Sequence, residues 1–342
     1  LNAGHTYIFG GDFDTRGPSV AVGLLGADFD LPEGAHHHRI SHIVKGNNWH
    51  PDERSPLEEP GCSVHDGDYL ISIDGEEVGA ADNVYAFLED RVGKRVELGF
   101  SSKDTAEGAG SCKVTPLRSE RTLRYREWVR GNQAIVDARG DGRIGYVHVP
   151  DMQVAGLIEF HRGFLWQAGR EALIVDVRDN GGGNVSQILL GKLRRQLIGY
   201  CKARWAEPLA LPHNTLDGPM VALCNERTGS DGDIFCQSWR QLDLGPLIGQ
   251  RTWGGVVGID QSKTLVDGGL ITQPEYAFWF ADRGWDVEGS GVSPDVEVAI
   301  GPADHAAGRD PQLGRAIDEI LRLLEERGPQ RIDLSAPPDR SR

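Results

Sequence analysis

The chain has 342 residues, of which 39% are apolar, and 36 Lys and Arg against 51 Asp and Glu give a net charge of −15. That length exceeds one typical domain of about 100–200 residues and predicts two domains or one large elaborated one. No apolar run approaches the ~18 residues of a membrane helix, and the acidic balance disfavours a broad electrostatic hold on nucleic acid or anionic lipid.

Five cysteines, Cys62, Cys112, Cys201, Cys224 and Cys236, are widely spaced with no CxxC pair. They point to neither a disulfide framework nor a zinc site, and fit a reducing cytoplasm. Leu1 to Tyr7 has neither a basic nor an apolar leader region, and the chain does not begin with Met, so a piece of something longer is expected.

Short strands are predicted at Ser19–Leu25, Arg39–Val44, Asp68–Ile73 and Arg95–Gly99, with a helix over Ala80–Arg91 following an Asp74-Gly75 turn. Together they form a β-rich module of about 100 residues. Asp28 to Pro60 reads as a long irregular insertion, and Asp104 to Ser111 as an exposed loop. Beyond it the pattern changes to apolar runs at Ile144–Val149, Ala172–Val177 and Met220–Cys224. These alternate with helical stretches at Gly156–Gly169, Ser186–Ile198 and Ile234–Leu242. Such alternation argues for an α/β domain with parallel pairing. Pro311–Arg327 carries one apolar helix face, and Pro329–Arg342 reads as a loose tail.

Two turns carry the chemical signal. The run Ala172 to Gly183 ends a strand in Arg178-Asp179-Asn180 and three glycines ahead of a helix, which aims backbone N–H groups at one point. A phosphate loop of Walker type is excluded by the missing Gly-Lys-Ser/Thr. The second strand runs into Asn225-Glu-Arg-Thr-Gly-Ser230-Asp-Gly-Asp233, where the Ser230 hydroxyl projects from a turn and the next amide, on Asp231, faces the same space. A Gly-Ser turn alone is more often a helix cap than a nucleophile, but a neighbouring glycine-lined turn shifts the balance.

These residues resemble the carboxyl-terminal-processing superfamily of serine peptidases, and within it the tricorn branch. The resemblance rests on Asp176–Ser186, Asn225–Phe235, Gly249–Gly255 and Val287–Asp295. In the tail-specific branch a lysine activates the serine, whereas the equivalent stretch here is Thr252-Trp253-Gly254-Gly255. The tricorn branch uses a histidine ahead of a PDZ module and a glutamate before Gly-Val-x-Pro-Asp, positions matched by His5 and Glu288. Its pattern has a serine directly before the histidine, linking it to the glutamate; here that residue is Gly4.

The resemblance implies an α/β fold with a ClpP/crotonase-like catalytic domain and an inserted β-rich PDZ domain. The expected boundaries are 1–17 for the end of a catalytic subdomain carrying the histidine, 18–117 for the PDZ module, 118–330 for the peptidase and 331–342 for the tail. Ser230 is the expected nucleophile, His5 the general base and Glu288 its orienting acid. The amides of Asp231 and of Gly182 or Gly183 form the expected oxyanion hole. Gly23-Leu24-Leu25-Gly26 is the candidate carboxylate-binding loop for a peptide, with Val84–Leu88 on the groove helix.

Also implied are peptide substrates released by larger proteases, a cytoplasmic location and assembly as hexameric rings. No cofactor or metal is expected, since His36-His37-His38 cannot converge on one ion. In the family a preference for basic side chains goes with an acid after the glycine-rich helix; Tyr200–Ala206 has none, which implies weaker selectivity for Lys or Arg. Eight tryptophans, among them Trp49, Trp253, Trp279 and Trp285, read as core or interface anchors, Trp253 and Trp279 also as cleft walls. Two rivals remain: a non-catalytic PDZ peptide-binding protein with a decayed protease domain, and a crotonase-like acyl-CoA enzyme, which shares the paired-amide hole without needing a nucleophile.

Overall fold

A computed structural model describes residues 4–12, 20–47, 53–203, 205–260 and 263–328. Ser19, Trp49 and the tail from Pro329 lie outside the described residues. The chain divides into two units, Thr15–Gly131 on its own and Leu1–Asp14 together with Asn132–Arg342.

The second of these units starts with β1 (Ile8–Phe9) before the chain enters the other. There β2 (Ala27–Asp30), β3 (His38–Ile43), β4 (Tyr69–Ile73), β5 (Glu76–Glu77), β6 (Val96–Ser101) and β7 (Gly110–Val114) build one antiparallel sheet. Its order is β2-β3-β4-β6-β7, with β5 on β4. Asp74 and Gly75 both take positive φ, 51° and 81°, the mirror-image turn that matches strand twist in a tight hairpin. Leu25, Ile40, Leu70, Leu88, Leu98 and Val114 form its core.

Four expectations need correction here. Asp28–Pro60 is not an irregular insertion, because β2 and β3 lie in it. The expected Ala80–Arg91 helix is a single 3-10 turn at Val84–Leu88, and the described part of the expected first strand makes only isolated bridges at Val22 and Leu24. Cys62 and Cys112, 50 residues apart, are disulfide-bonded, which removes cysteine usage as an argument for a reducing compartment.

The β-rich unit runs on past the expected Leu117 to Gly131, taking in the first part of α1 (Arg121–Arg139). The first half of α1 is tied to the β-rich unit: Glu120, just ahead of it, accepts the Gly26 amide at 2.7 Å, and Glu127 meets His42 at 3.0 Å. Sequence periodicity missed this helix, since only Leu123, Asn132 and Val136 along it are buried.

From there the chain alternates as β8 (Ile144–His148), α2 (Val154–Gln167), β9 (Ala172–Asp176), α3 (Ser186–Leu193), a hairpin of β10 (Gly199–Cys201) and β11 (Leu209–Leu211), β12 (Met220–Cys224), α4 (Asp231–Gln241) and β13 (Leu247–Gly249). Two short strands, β14 (Gly258–Asp260) and β16 (Gln273–Tyr276), pair antiparallel, while β15 (Leu270–Ile271) pairs with β1. β17 (Val296–Glu297), α5 (Pro302–Ala306) and α6 (Pro311–Arg327) complete the unit.

The main sheet is wholly parallel, in the order β17-β13-β12-β9-β8. Every residue of β8, β9 and β12 is buried, as expected of strands covered on both faces. α2 packs on β8, and α6 on β9, β12 and β13. Because the strands run the same way, the loops after β8, β9, β12 and β13 all leave from one edge, where ligands of open α/β sheets bind.

Candidate active site

The turns after β9 and β12 are fastened to each other. Asn225 and Asp179 bond reciprocally, the Asp179 amide to Asn225 Oδ1 at 2.9 Å and Asn225 Nδ2 to Asp179 Oδ1 at 3.0 Å. The Thr228 hydroxyl donates to the Val177 carbonyl at 2.8 Å, and the Gly229 amide to the Asn180 carbonyl at 2.9 Å. Beneath them the buried Arg178 guanidinium grips Asp176, which also accepts the Tyr146 hydroxyl, and reaches Asp310 at 2.8 Å. Burial alone would raise the Asp176 carboxyl, but Arg178 holds it below the ordinary carboxylate range.

Ser230 caps α4 with φ 56° and ψ −120°. That conformation is costly for a residue with a side chain and turns the hydroxyl out of the helix path. α4 starts directly after it, three residues earlier than the periodicity predicts. Asp231 as first helical residue therefore leaves its N–H without an intrahelical acceptor. Its carboxylate accepts the Ser186 amide at 2.9 Å and the Ser186 hydroxyl, which ties α3 to α4.

Gly182, at φ 91°, lies against the nucleophile turn: a Cβ there would stand 2.5 Å from Ser230 Cβ and 2.9 Å from the Asp231 nitrogen. Its own amide is already spent on Asn180 Oδ1 at 2.9 Å. Gly183, at φ 153°, bridges Met152 through the Gly182 carbonyl and the Asn184 amide, and its own N–H has no acceptor among the described residues. Of the two glycines considered, Gly183 is thus the one with a spare donor.

His5 is 9% exposed, its Nδ1 2.7 Å from the Val257 carbonyl. A carbonyl only accepts, so Nδ1 carries the proton and Nε2 is left as the basic nitrogen. The ring contacts Tyr7 and Trp253, at centroid distances of 5.9 and 5.3 Å. Glu288 does not touch the imidazole. One of its oxygens accepts the Val256 and Val257 amides at 2.8 Å, the other the Gly4 amide at 3.2 Å. The acid holds both the residue before His5 and the segment whose carbonyl bonds its ring; the hydrogen bond to the imidazole that a direct orienting role calls for is not made.

Asp233 was not expected at the site. It is fully buried and accepts the Thr252 hydroxyl and, at 2.9 Å, the Gly254 amide, while Oδ2 has no partner. Burial pushes its carboxyl up to about 6 against the lowering effect of those donors. Asn180, Thr228 and Thr252 are further fixing residues that lay unremarked inside the quoted motifs.

Away from this edge the expectations fare differently. Three of the four amides of the expected carboxylate-binding loop, those of Gly23, Leu24 and Gly26, already donate to the Leu88 carbonyl, the Leu117 carbonyl and Glu120. His37 is held by Asp104 and Glu77, and His38 by the Asp82 carbonyl. Among the described residues no cluster of three His, Cys, Asp or Glu side chains is placed to hold a metal, and no helix is long and apolar enough to cross a membrane. Trp279 and Trp285, 60% and 62% exposed, are not core anchors.

A serine at a strained strand-to-helix turn and a glycine-lined turn fastened beside it leave the same edge of the parallel sheet. Trp253, whose amide bonds Thr228 next to the serine turn, packs against a histidine with a defined tautomer. Residues 143–298 match Peptidase family S41, and residues 23–119 match the Tricorn protease PDZ domain. The chain carries both domains and is a homologue of the tricorn proteases. It is 45% identical over 329 residues to "Tricorn protease homolog 1" of Streptomyces coelicolor, covering 95% of this chain and 30% of that protein. To the "Tricorn protease" of Thermoplasma acidophilum it is 43% identical over 331 residues, 96% of this chain and 30% of the relative. The crystal structure of the tricorn protease superposes with a TM-score of 0.87 at 41% identity over 95% of this chain and 31% of that one. The chain thus spans about a third of the length of these relatives.

Two outcomes are expected at the site carboxylates. Between its ordinary 3.8 and about 6, Asp233 binds its proton more tightly in the folded protein, so stability falls as pH rises through that window and the full cost stands above it. Asp233→Asn keeps an oxygen for Thr252 and Gly254 without the charge. Its Tm relative to wild type should rise between about pH 4 and about pH 7.5, by the equivalent of about 3 kcal/mol at most. A difference flat across that range would mean that Asp233 keeps an ordinary pKa. Separately, a Cβ on Gly4 would lie 3.8 Å from Trp253 Cζ2 and 3.9 Å from Glu288 Oε1, ordinary contact distances. Gly4→Ser should therefore fit, place a hydroxyl on Glu288 and keep peptide hydrolysis within about threefold of wild type or above it; a loss beyond about tenfold would contradict this.

Proposed function

We propose that this chain is the catalytic part of a tricorn-like serine endopeptidase that hydrolyses oligopeptides. The observation that carries the reading is Ser230 at φ 56° as the N-cap of α4, with Trp253, bonded to nearby Thr228, packed against a histidine whose Nε2 is the basic nitrogen. Ser230 Oγ attacks the peptide carbonyl and passes its proton to His5 Nε2, which returns it to the leaving amine; water then releases the acyl group by the reverse route. The Asp231 and Gly183 amides receive the oxyanion. Glu288 keeps His5 in register by holding the Gly4, Val256 and Val257 amides.

The parallel sheet and its paired-amide pocket support a ClpP/crotonase-like architecture for the catalytic unit, with the PDZ module between its two sequence segments. Assembly as hexameric rings belongs to the same reading and rests on the likeness to tricorn proteases. The three amides already spent in the Gly23–Gly26 loop weigh against the rival of a dedicated PDZ peptide binder.

The test is peptide-mapped mass spectrometry after a fluorophosphonate probe, on protein first sized by light scattering. An adduct on Ser230, absent from Ser230→Ala, and a mass near six chains are the expected results. An unlabelled wild type would remove the hydrolase reading, and a monomer mass the ring. Matched peptides ending in Arg and in Leu should be cleaved within about tenfold of each other, since Tyr200–Ala206 carries no acid; a strong Arg preference would overturn the weak selectivity.

A further inference from the structure

Trp253 is placed unlike the other tryptophans of the site unit. Its amide donates to the Thr228 carbonyl at 2.9 Å, which anchors its backbone one residue before Gly229. Its indole then lies over Gly229 itself: a Cβ there would stand 2.7 Å from Cε3. A Cβ on Gly255 would stand 2.4 Å from Cζ3, and one on Gly4 3.8 Å from Cζ2. The indole thus borders glycines on three segments: the residue before the nucleophile, the residue before the histidine and the loop after β13. Neither Gly229 nor Gly255 has a positive φ, so it is space for the ring that excludes a side chain there.

On its far side the indole meets His5 edge to face, 5.3 Å between centroids at 78°. The Nδ1 bond to Val257 alone leaves the imidazole free to swing about that axis. Contacts with Tyr7, 5.9 Å between centroids at 70°, and with Trp253 restrict that swing. Since the same indole rests on Gly229, the position of His5 is referred directly to the turn that presents Ser230.

We propose that Trp253 is a positioning residue that sets the separation and ring angle between His5 and Ser230, with Gly229 and Gly255 as the clearances that admit its indole. The proposal rests on the Ser230/His5 reading. It assigns the tryptophan no bond to substrate and no proton; its effect is exerted on the geometry of the base. Misplacement of a reacting group by about 1 Å costs on the order of a hundredfold in rate, the scale expected when the ring is replaced by a smaller, non-planar side chain.

The experiment compares wild type, Trp253→Leu, Trp253→Phe, Gly255→Ala and the double variant Trp253→Leu/Gly255→Ala in steady-state peptide hydrolysis and in the rate of fluorophosphonate labelling. Trp253→Leu should lower kcat and the labelling rate by about 10- to 100-fold with KM within about threefold, and Trp253→Phe should recover part of the loss. Gly255→Ala should be damaging with Trp253 present, because its Cβ overlaps the indole, and cost nothing further in the double variant, where leucine has replaced the indole. Unchanged kcat in Trp253→Leu, or losses that simply add, would overturn the proposal while a labelled wild type left the Ser230/His5 reading standing. If Trp253→Leu does not fold, Gly255→Ala and Trp253→Phe decide alone: kcat equal to wild type in both refutes the role. A wild type that neither labels nor hydrolyses refutes the reading beneath it.

Discussion

A serine can hold a φ of 56° only if its surroundings leave it no other choice, and much of the catalytic unit answers to that one backbone angle. The strain is absorbed by bonds on both sides of the turn. Thr228 and Gly229 are fastened to the preceding turn through Val177 and Asn180, and Asp231 is fastened to Ser186 at the head of α3. The spare amides of Gly183 and Asp231 are by-products of the same arrangement, since one belongs to a glycine turn and the other to a helix start. In the proposed reading, nucleophile and oxyanion pocket are thus one local structure with two chemical uses.

The acids of the site serve the backbone. Glu288 holds three amides from two segments, Asp231 bridges two helices, and Asp233 clasps the loop that carries Trp253. A carboxylate accepting several N–H groups is a stiff joint, because an oxygen can take more than one donor and the charge strengthens each bond. Asp233 has one oxygen without a partner among the described residues, and burial raises its pKa beyond what its donors can offset.

The parallel strands were legible because their burial on both faces leaves continuous apolar runs, as in Ala172–Asp176 and Met220–Cys224. Ser230, Asp231, His5 and Glu288 were singled out through ordered motifs, and their roles belong to the proposed function. What stayed hidden depends on partners distant in sequence. Whether the Gly23–Gly26 amides are free is decided by Leu88, Leu117 and Glu120, and nothing in the loop itself says so. α1 hides its nature because it buries few apolar residues and spreads charge around its surface. The choice between Gly182 and Gly183 as donor turns on the direction of one Asn180 side chain. Glu288 was found by position, but the form of its action required seeing that it grips amides and leaves the ring alone.

The tether between Glu288 and Gly4 spans 284 positions of chain, and that from His5 to Val257 spans 252. The bonds that shape the serine turn span 45 to 51. Contacts of long separation close late, after the intervening chain has already condensed, because their loop entropy must first be met. The bonds around Ser230 therefore close far smaller loops than those that hold the Gly4–His5 segment, so a cut in the intervening chain ahead of the serine turn would release that segment while leaving the turn fastened.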